Sequence, residues 1–222
     1  MLEYLKNKKV LVLAAHPDDE TLGCGATIHK LSSLGCDIEL ITFTDGVGSR
    51  NNNESDRNPK LQAVSNILGI KKYTSGNFPD NAMDSVPLLD LCKFIEENTD
   101  DHYDLIFTHY IDDLNVDHGL VTKAALTAFR PQNYISSTKM YAYYVPSSTD
   151  YNPLSIFDGN TYYSVSIEDV NAKYQALRIY DNEMRNPPHS RSYNNVSNLM
   201  EVWGAEVGCS FSEKFKLIRE VI

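Results

Sequence analysis

Over the first 145 positions, short apolar runs alternate with stretches whose apolar residues recur every three or four places. Val10 to Ala15 (VLVLAA) is an unbroken apolar run, which predicts a strand buried on both faces of a parallel sheet. Thr21 to Leu34 follows with helical spacing, directing Leu22, Ala26, Leu31 and Leu34 inward, and Gly35 ends it. Asp37 to Thr44 (DIELITFT) predicts a second strand, running into a polar turn from Asp45 to Arg50 and a polar loop from Asn51 to Asn58. Pro59 to Leu68 reads as a helix closed by Gly69, and Ile70 to Thr74 as a short strand. Val86 to Glu97 reads as a helix carrying Leu88, Leu89, Leu91 and Phe94. Asp104 to Thr108 is then a fourth strand, and His118 to Phe129 a helix stopped by Pro131.

Strand and helix alternating in this way predict an α/β fold, a Rossmann-like, doubly wound, mostly parallel sheet with helices on both faces. In the commonest strand order of that class the first and fourth strands are neighbours. The pattern changes after a fifth strand, Lys139 to Val145. Pro146 to Asn160 is a loop rich in Pro, Ser and Asp, Tyr162 to Val165 a short strand, and Glu168 to Asp181 and Asn194 to Gly204 helices. The expectation is one domain over residues 1–222, an α/β core over 1–145 and a C-terminal elaboration over 146–222 that contributes to the rim of a site.

Composition narrows the class without naming a substrate. With 42% hydrophobic residues in 222, the chain can bury a substantial core. A net charge of −10, with 20 basic against 30 acidic side chains and no basic run, argues against nucleic acid or an anionic membrane as partner. No apolar stretch is long enough to span a bilayer, and Met1 to Lys9 does not read as a signal peptide, so a cytoplasmic protein is expected. Cys24, Cys36, Cys92 and Cys209 show no CxxC spacing and read as reduced residues, with Cys24 the one nearest the candidate chemistry.

That chemistry sits where the first strand stops. His16, Asp18, Asp19 and Glu20 fall between strand and helix, at the strand end that faces the ligand crevice of such sheets. An imidazole and a carboxylate three residues apart, His16 and Asp19, can share one divalent ion and leave Asp18 free as a base. A catalytic zinc site needs three protein ligands and one open position, so another ligand must come from elsewhere. A second cluster, Asp112-Asp113-Leu114-Asn115-Val116-Asp117-His118, follows the fourth strand, with His109 at its end. Each cluster has a plainer reading: Asp19 as an acid at a helix start, His118 as a polar residue in a first helical turn, Asp117 as a cap. The commonest strand order favours the metal reading, because it would bring both clusters to one crevice. His29 and His102 read as surface residues. Gly23 and Gly25 do not complete GxGxxG, since position 28 is Ile, and no GxSxG or Walker A sequence occurs.

Ala15-His16-Pro17-Asp18-Asp19-Glu20 with Leu22-Gly23-Cys24-Gly25, and Asp113-Leu114-Asn115-Val116-Asp117-His118-Gly119, resemble the two signature motifs of the PIG-L/LmbE-like zinc de-N-acetylases. The resemblance extends through Thr44-Asp45-Gly46 with Arg50 and Arg57, Tyr144 to Thr149, and His189-Ser190-Arg191-Ser192. It implies one zinc ion, or another divalent transition metal, held by His16, Asp19 and His118. It also implies Asp18 as general base, Arg50 and the His189 turn as substrate contacts, and a small N-acetylated amino sugar or conjugate as substrate. Two positions depart from the family pattern. Asn115 stands where many members have a histidine, and is expected to face the oxyanion, leaving His109 or Asp18 to protonate the leaving amine. Lys60 stands where relatives often have an acid. Tyr141, Tyr143, Tyr144, Tyr162 and Tyr163 are candidate sugar-stacking faces, and the Tyr-rich final third leaves room for a homo-oligomer interface. The rival readings are an amidase of the same chemistry on another N-acyl group, and a metal-binding protein without catalysis.

Overall fold

The computed structural model describes residues 3–45, 58–100, 102–131 and 136–222. Strands β1 (Lys9–Ala14), β2 (Asp37–Thr42), β3 (Lys72–Ser75), β4 (His102–His109) and β5 (Ser136–Tyr143) run parallel in the order β3-β2-β1-β4-β5. β6 (Thr161–Val165) and β7 (Phe211–Glu220) complete a seven-stranded sheet, with β7 antiparallel to both β5 and β6.

The apolar run of β1 shows why the sheet is covered twice. Side chains alternate across a strand. Val10, Val12 and Ala14 enter a core shared with helices α1 (Asp19–Ser33), α2 (Asn58–Leu68), α5 (Ile167–Ile179) and α6 (Tyr193–Glu206). Leu11, Leu13 and Ala15 enter the opposite core, against α3 (Leu88–Asn98) and α4 (Val116–Ala128). From β1 the chain winds outward through β2 and β3, then returns to place β4 on the other side of β1. The crevice at this reversal lies beyond the carboxyl ends of β1 and β4, and both acidic clusters emerge there.

Phe211–Glu220, to which the sequence pattern assigns no element, is a central strand of the C-terminal half; Glu213 is buried while Lys214 and Lys216 are held at the edge by Glu206 and Asp158. The segment beyond residue 146 thus completes the sheet as well as fringing it. The tyrosines that were candidate sugar faces are largely core, as aromatic strand residues more often are: Tyr141 stacks on Phe107 at 5.4 Å, Tyr163 meets Phe215 edge-on at 5.3 Å, and Tyr143 is fully buried. Tyr144 packs on Trp203 and Phe157, and Tyr162 lies under Lys214.

Candidate active site

The turn after β1 is held by its own acids. Asp18 has φ of 138°, a conformation that strains any residue with a Cβ. Its N–H donates to Glu20 Oε2 at 3.0 Å, and its carbonyl accepts from Leu22 N–H at 2.8 Å. Glu20 also accepts from Thr21 Oγ1, and complete burial raises its carboxyl to about 7. Asp19 and Glu20 are already the first residues of α1, so the helix starts two residues earlier than its apolar spacing indicates. The motif glycine Gly23 has a tertiary cause: a Cβ there would lie 2.2 Å from the ring of Tyr143.

Three side chains converge beyond this turn. Asp19 Oδ2 lies 3.1 Å from His16 Nδ1 and 3.2 Å from His118 Nε2, and all three residues are buried. One donor atom from each lies within 4.8 Å of the other two. The remaining nitrogen of each imidazole faces a carboxylate. His16 Nε2 is 3.1 Å from Asp117 and 3.1 Å from Asp80, and His118 Nδ1 is 3.2 Å from Asp113. Those braces are themselves fixed: Asp117 accepts the backbone N–H groups of Asn81 and Met83, and Asp113 accepts the hydroxyls of Ser148 and Thr149. Imidazoles oriented in this way are what a metal site requires of its surroundings.

The electrostatics follow from burial opposed by pairing. Burial alone would raise the Asp19 carboxyl, but His118 and His109 beside it hold it well below the usual carboxylate range. Burial would lower His118, but Asp19 and Asp113 push it up to about 9, and Asp117, Asp19 and Asp80 raise His16 against the same penalty. The pocket is built to concentrate positive charge among buried carboxylates. Two imidazoles and one carboxylate on a common point suit a divalent transition metal.

The other candidates fall into place unequally. His109 is fully buried, stacks on His118 with centroids 3.9 Å apart, and accepts the Ala15 N–H at Nε2 at 2.8 Å, with the Tyr143 hydroxyl 3.0 Å away. Burial pushes its pKa down. It forms the floor under His118. Asn115 has a structural part: its Oδ1 caps α4 by accepting the Asp117 N–H, and its Nδ2 donates one hydrogen to Asn81 Oδ1. His189 is half-buried, accepts the Arg191 N–H and meets Tyr151 edge-on. Arg50 lies outside the described residues. His102 is exposed, as expected, whereas His29 is half-buried against Asp169 at 2.7 Å.

Sequence reasoning missed the cation that meets the candidate base. Arg191 Nη1 donates to Asp18 Oδ2 at 3.1 Å, while its Nε donates to Ser147 Oγ at 3.1 Å and Glu183 lies 3.8 Å away. The two ion-pair partners are 173 positions apart. The only trace in the sequence is the His189-Ser190-Arg191-Ser192 segment, which flags a turn but assigns Arg191 no partner.

The family model described as GlcNAc-PI de-N-acetylase, PIG-L, matches residues 11–129, which contain both acidic clusters. The chain belongs to the PIG-L family. It is 30% identical over 131 residues to YaiS of Escherichia coli, named an uncharacterized deacetylase, covering 56% of this chain and 70% of that one. It is 35% identical over 83 residues to the diacetylchitobiose deacetylase of Thermococcus kodakarensis, covering 34% of this chain but only 31% of that enzyme. The N,N'-diacetylchitobiose deacetylase of Pyrococcus horikoshii shares the fold, with a TM-score of 0.76 over 98% of this chain and 86% of that one at 20% identity.

Proposed function

We propose that the chain is a metal-dependent hydrolase that removes the acetyl group from an N-acetylated amino sugar or its conjugate. The observation that carries this reading is the pairing of a three-donor group, His16, Asp19 and His118, with an adjacent carboxylate, Asp18, that is not one of the donors and is held by a cation. A site that only bound metal would have no use for that additional carboxylate. The substrate class comes from the diacetylchitobiose deacetylase relative, and the tightness of the two motifs supports carrying it over.

His16, Asp19 and His118 would hold a divalent ion such as zinc, which would acidify a bound water and polarise the acetamide carbonyl. The protein's part begins with Asp18. Its strained backbone and the Arg191 ion pair fix the carboxylate that takes the proton of the attacking water. Asp117, Asp80 and Asp113 keep the two imidazoles aimed at the centre throughout. When the carbon–nitrogen bond breaks, the proton on Asp18 passes to the leaving amine, because His109 is buried with its Nε2 engaged. The products are acetate and the free amino sugar. Arg50 and the His189 turn are proposed to contact the sugar.

The experiment is amine release from N-acetylglucosamine and N,N'-diacetylchitobiose, followed with a fluorogenic amine reagent with and without chelator. Chelator-sensitive release supports the reading. Release from other N-acyl compounds alone moves the function to a different amidase, and bound metal without any release leaves a non-catalytic metal protein.

A further inference from the structure

Helix α1 is broken at Cys24, whose φ of −144° and ψ of 21° lie outside the helical region. A break strands carbonyls on one side and amides on the other, and buried strays of either kind are costly. Two charged side chains from the far end of the chain meet them. Lys173 of α5 donates from Nζ to the Leu22 carbonyl at 2.8 Å. Glu213 of β7 accepts the Ala26 N–H at 3.2 Å and the Thr27 N–H at 2.7 Å. Lys173 and Glu213 pair at 2.6 Å, exposed by only 2% and 0%. Gly25 leaves room for the lysine stem, since a Cβ there would lie 3.3 Å from Lys173 Cγ.

Burying an ion pair of this kind adds little to stability, because desolvation of both charges offsets their attraction. Among the described residues, the side-chain hydrogen bonds of the pair, apart from the pairing itself, are made to the helix break. We infer that Lys173 and Glu213 are positioning residues for the candidate active site: they hold the first turn of α1 out of line with the rest, so that Asp19 faces His118. The inference rests on the proposed reading that His16, Asp19 and His118 hold a metal. Without the pair, the favourable course for Leu22 to Thr27 is to close its own helical hydrogen bonds. A straightened α1 carries Asp19 away from the end of β4.

The test replaces both charges by apolar residues of similar volume, Lys173→Met with Glu213→Leu, a change that leaves folding stability nearly neutral when a buried pair is replaced whole. Zinc affinity is read by competition against a chromophoric chelator, and the Cys24 backbone by its Cα chemical shift in the metal-free protein. The expected result is cooperative unfolding close to wild type, zinc bound at least about tenfold more weakly, and a Cys24 shift moved to helical values. Wild-type zinc affinity in the double variant overturns the inference. Should wild type itself take up no zinc, the metal reading falls, and the Cys24 shift alone decides: helical supports the positioning role, unchanged overturns it. Glu213→Gln, which keeps one acceptor oxygen, repeats the measurement if the double variant does not fold. Severalfold weaker zinc supports the inference there, and an unchanged affinity overturns it.

Discussion

The two halves of the candidate site are built by opposite means. The β1–α1 turn presents His16, Asp18, Asp19 and Glu20 within five residues, and its geometry is set by hydrogen bonds among those residues. The C-terminal segment presents Arg191 to Asp18, and Lys173 and Glu213 to the α1 break, each from a different element and each more than 140 positions from what it touches. The first half states which atoms do the chemistry. The second sets how they are held, and nothing in its local sequence marks it as part of a site.

The comparison breaks first at Asp18. Asp18→Ala is expected to retain bound metal while amine release falls by about three orders of magnitude, the middle of the range that a positioned base contributes, measured by steady-state kinetics beside elemental analysis. Arg191→Met tests the remote half: removing a charged hydrogen-bond partner should lower kcat by about tenfold to a hundredfold with metal content unchanged. Activity equal to wild type in that variant would confine the site to the local motif.

Smaller effects sharpen the distinction between motif residues that do chemistry and those that pack. Gly23→Ala drives a methyl group into the Tyr143 ring, so it should destabilise the fold by about 1–3 kcal/mol, lowering the melting midpoint in calorimetry. Asn115→Ala should cost about 1 kcal/mol as the loss of a helix cap and leave kcat within a few-fold of wild type. A fall of two orders of magnitude there would restore Asn115 to the oxyanion role and show that the capping contact gives way when substrate binds.

The fold was legible because its signals are short-range. The doubly apolar run of β1, the helix-ending Gly35 and Gly69 with positive φ, and the strand–helix alternation each act within a few residues, and together they imply the β1–β4 adjacency that the sheet displays. β7 was not legible, since half of its residues are charged and their partners lie on α5, α6 and the β5–β6 loop. The orientations of His109 and Asn115 were not legible for a related reason. Both stand close in sequence to His118, but whether a side chain points at the crevice or into the floor depends on Ala15, Tyr143 and Asn81, contributed by other elements.

The central claim, that His16, Asp19 and His118 hold a metal while Asp18 stands beside it as the base, is tested most directly by metal content across a small set of purified proteins. Elemental analysis of wild type, Asp18→Ala and His118→Ala should give about one equivalent of metal per chain in the first two and a marked loss in the third. Loss of metal from Asp18→Ala, or its full retention in His118→Ala, would contradict the assignment of donors and base.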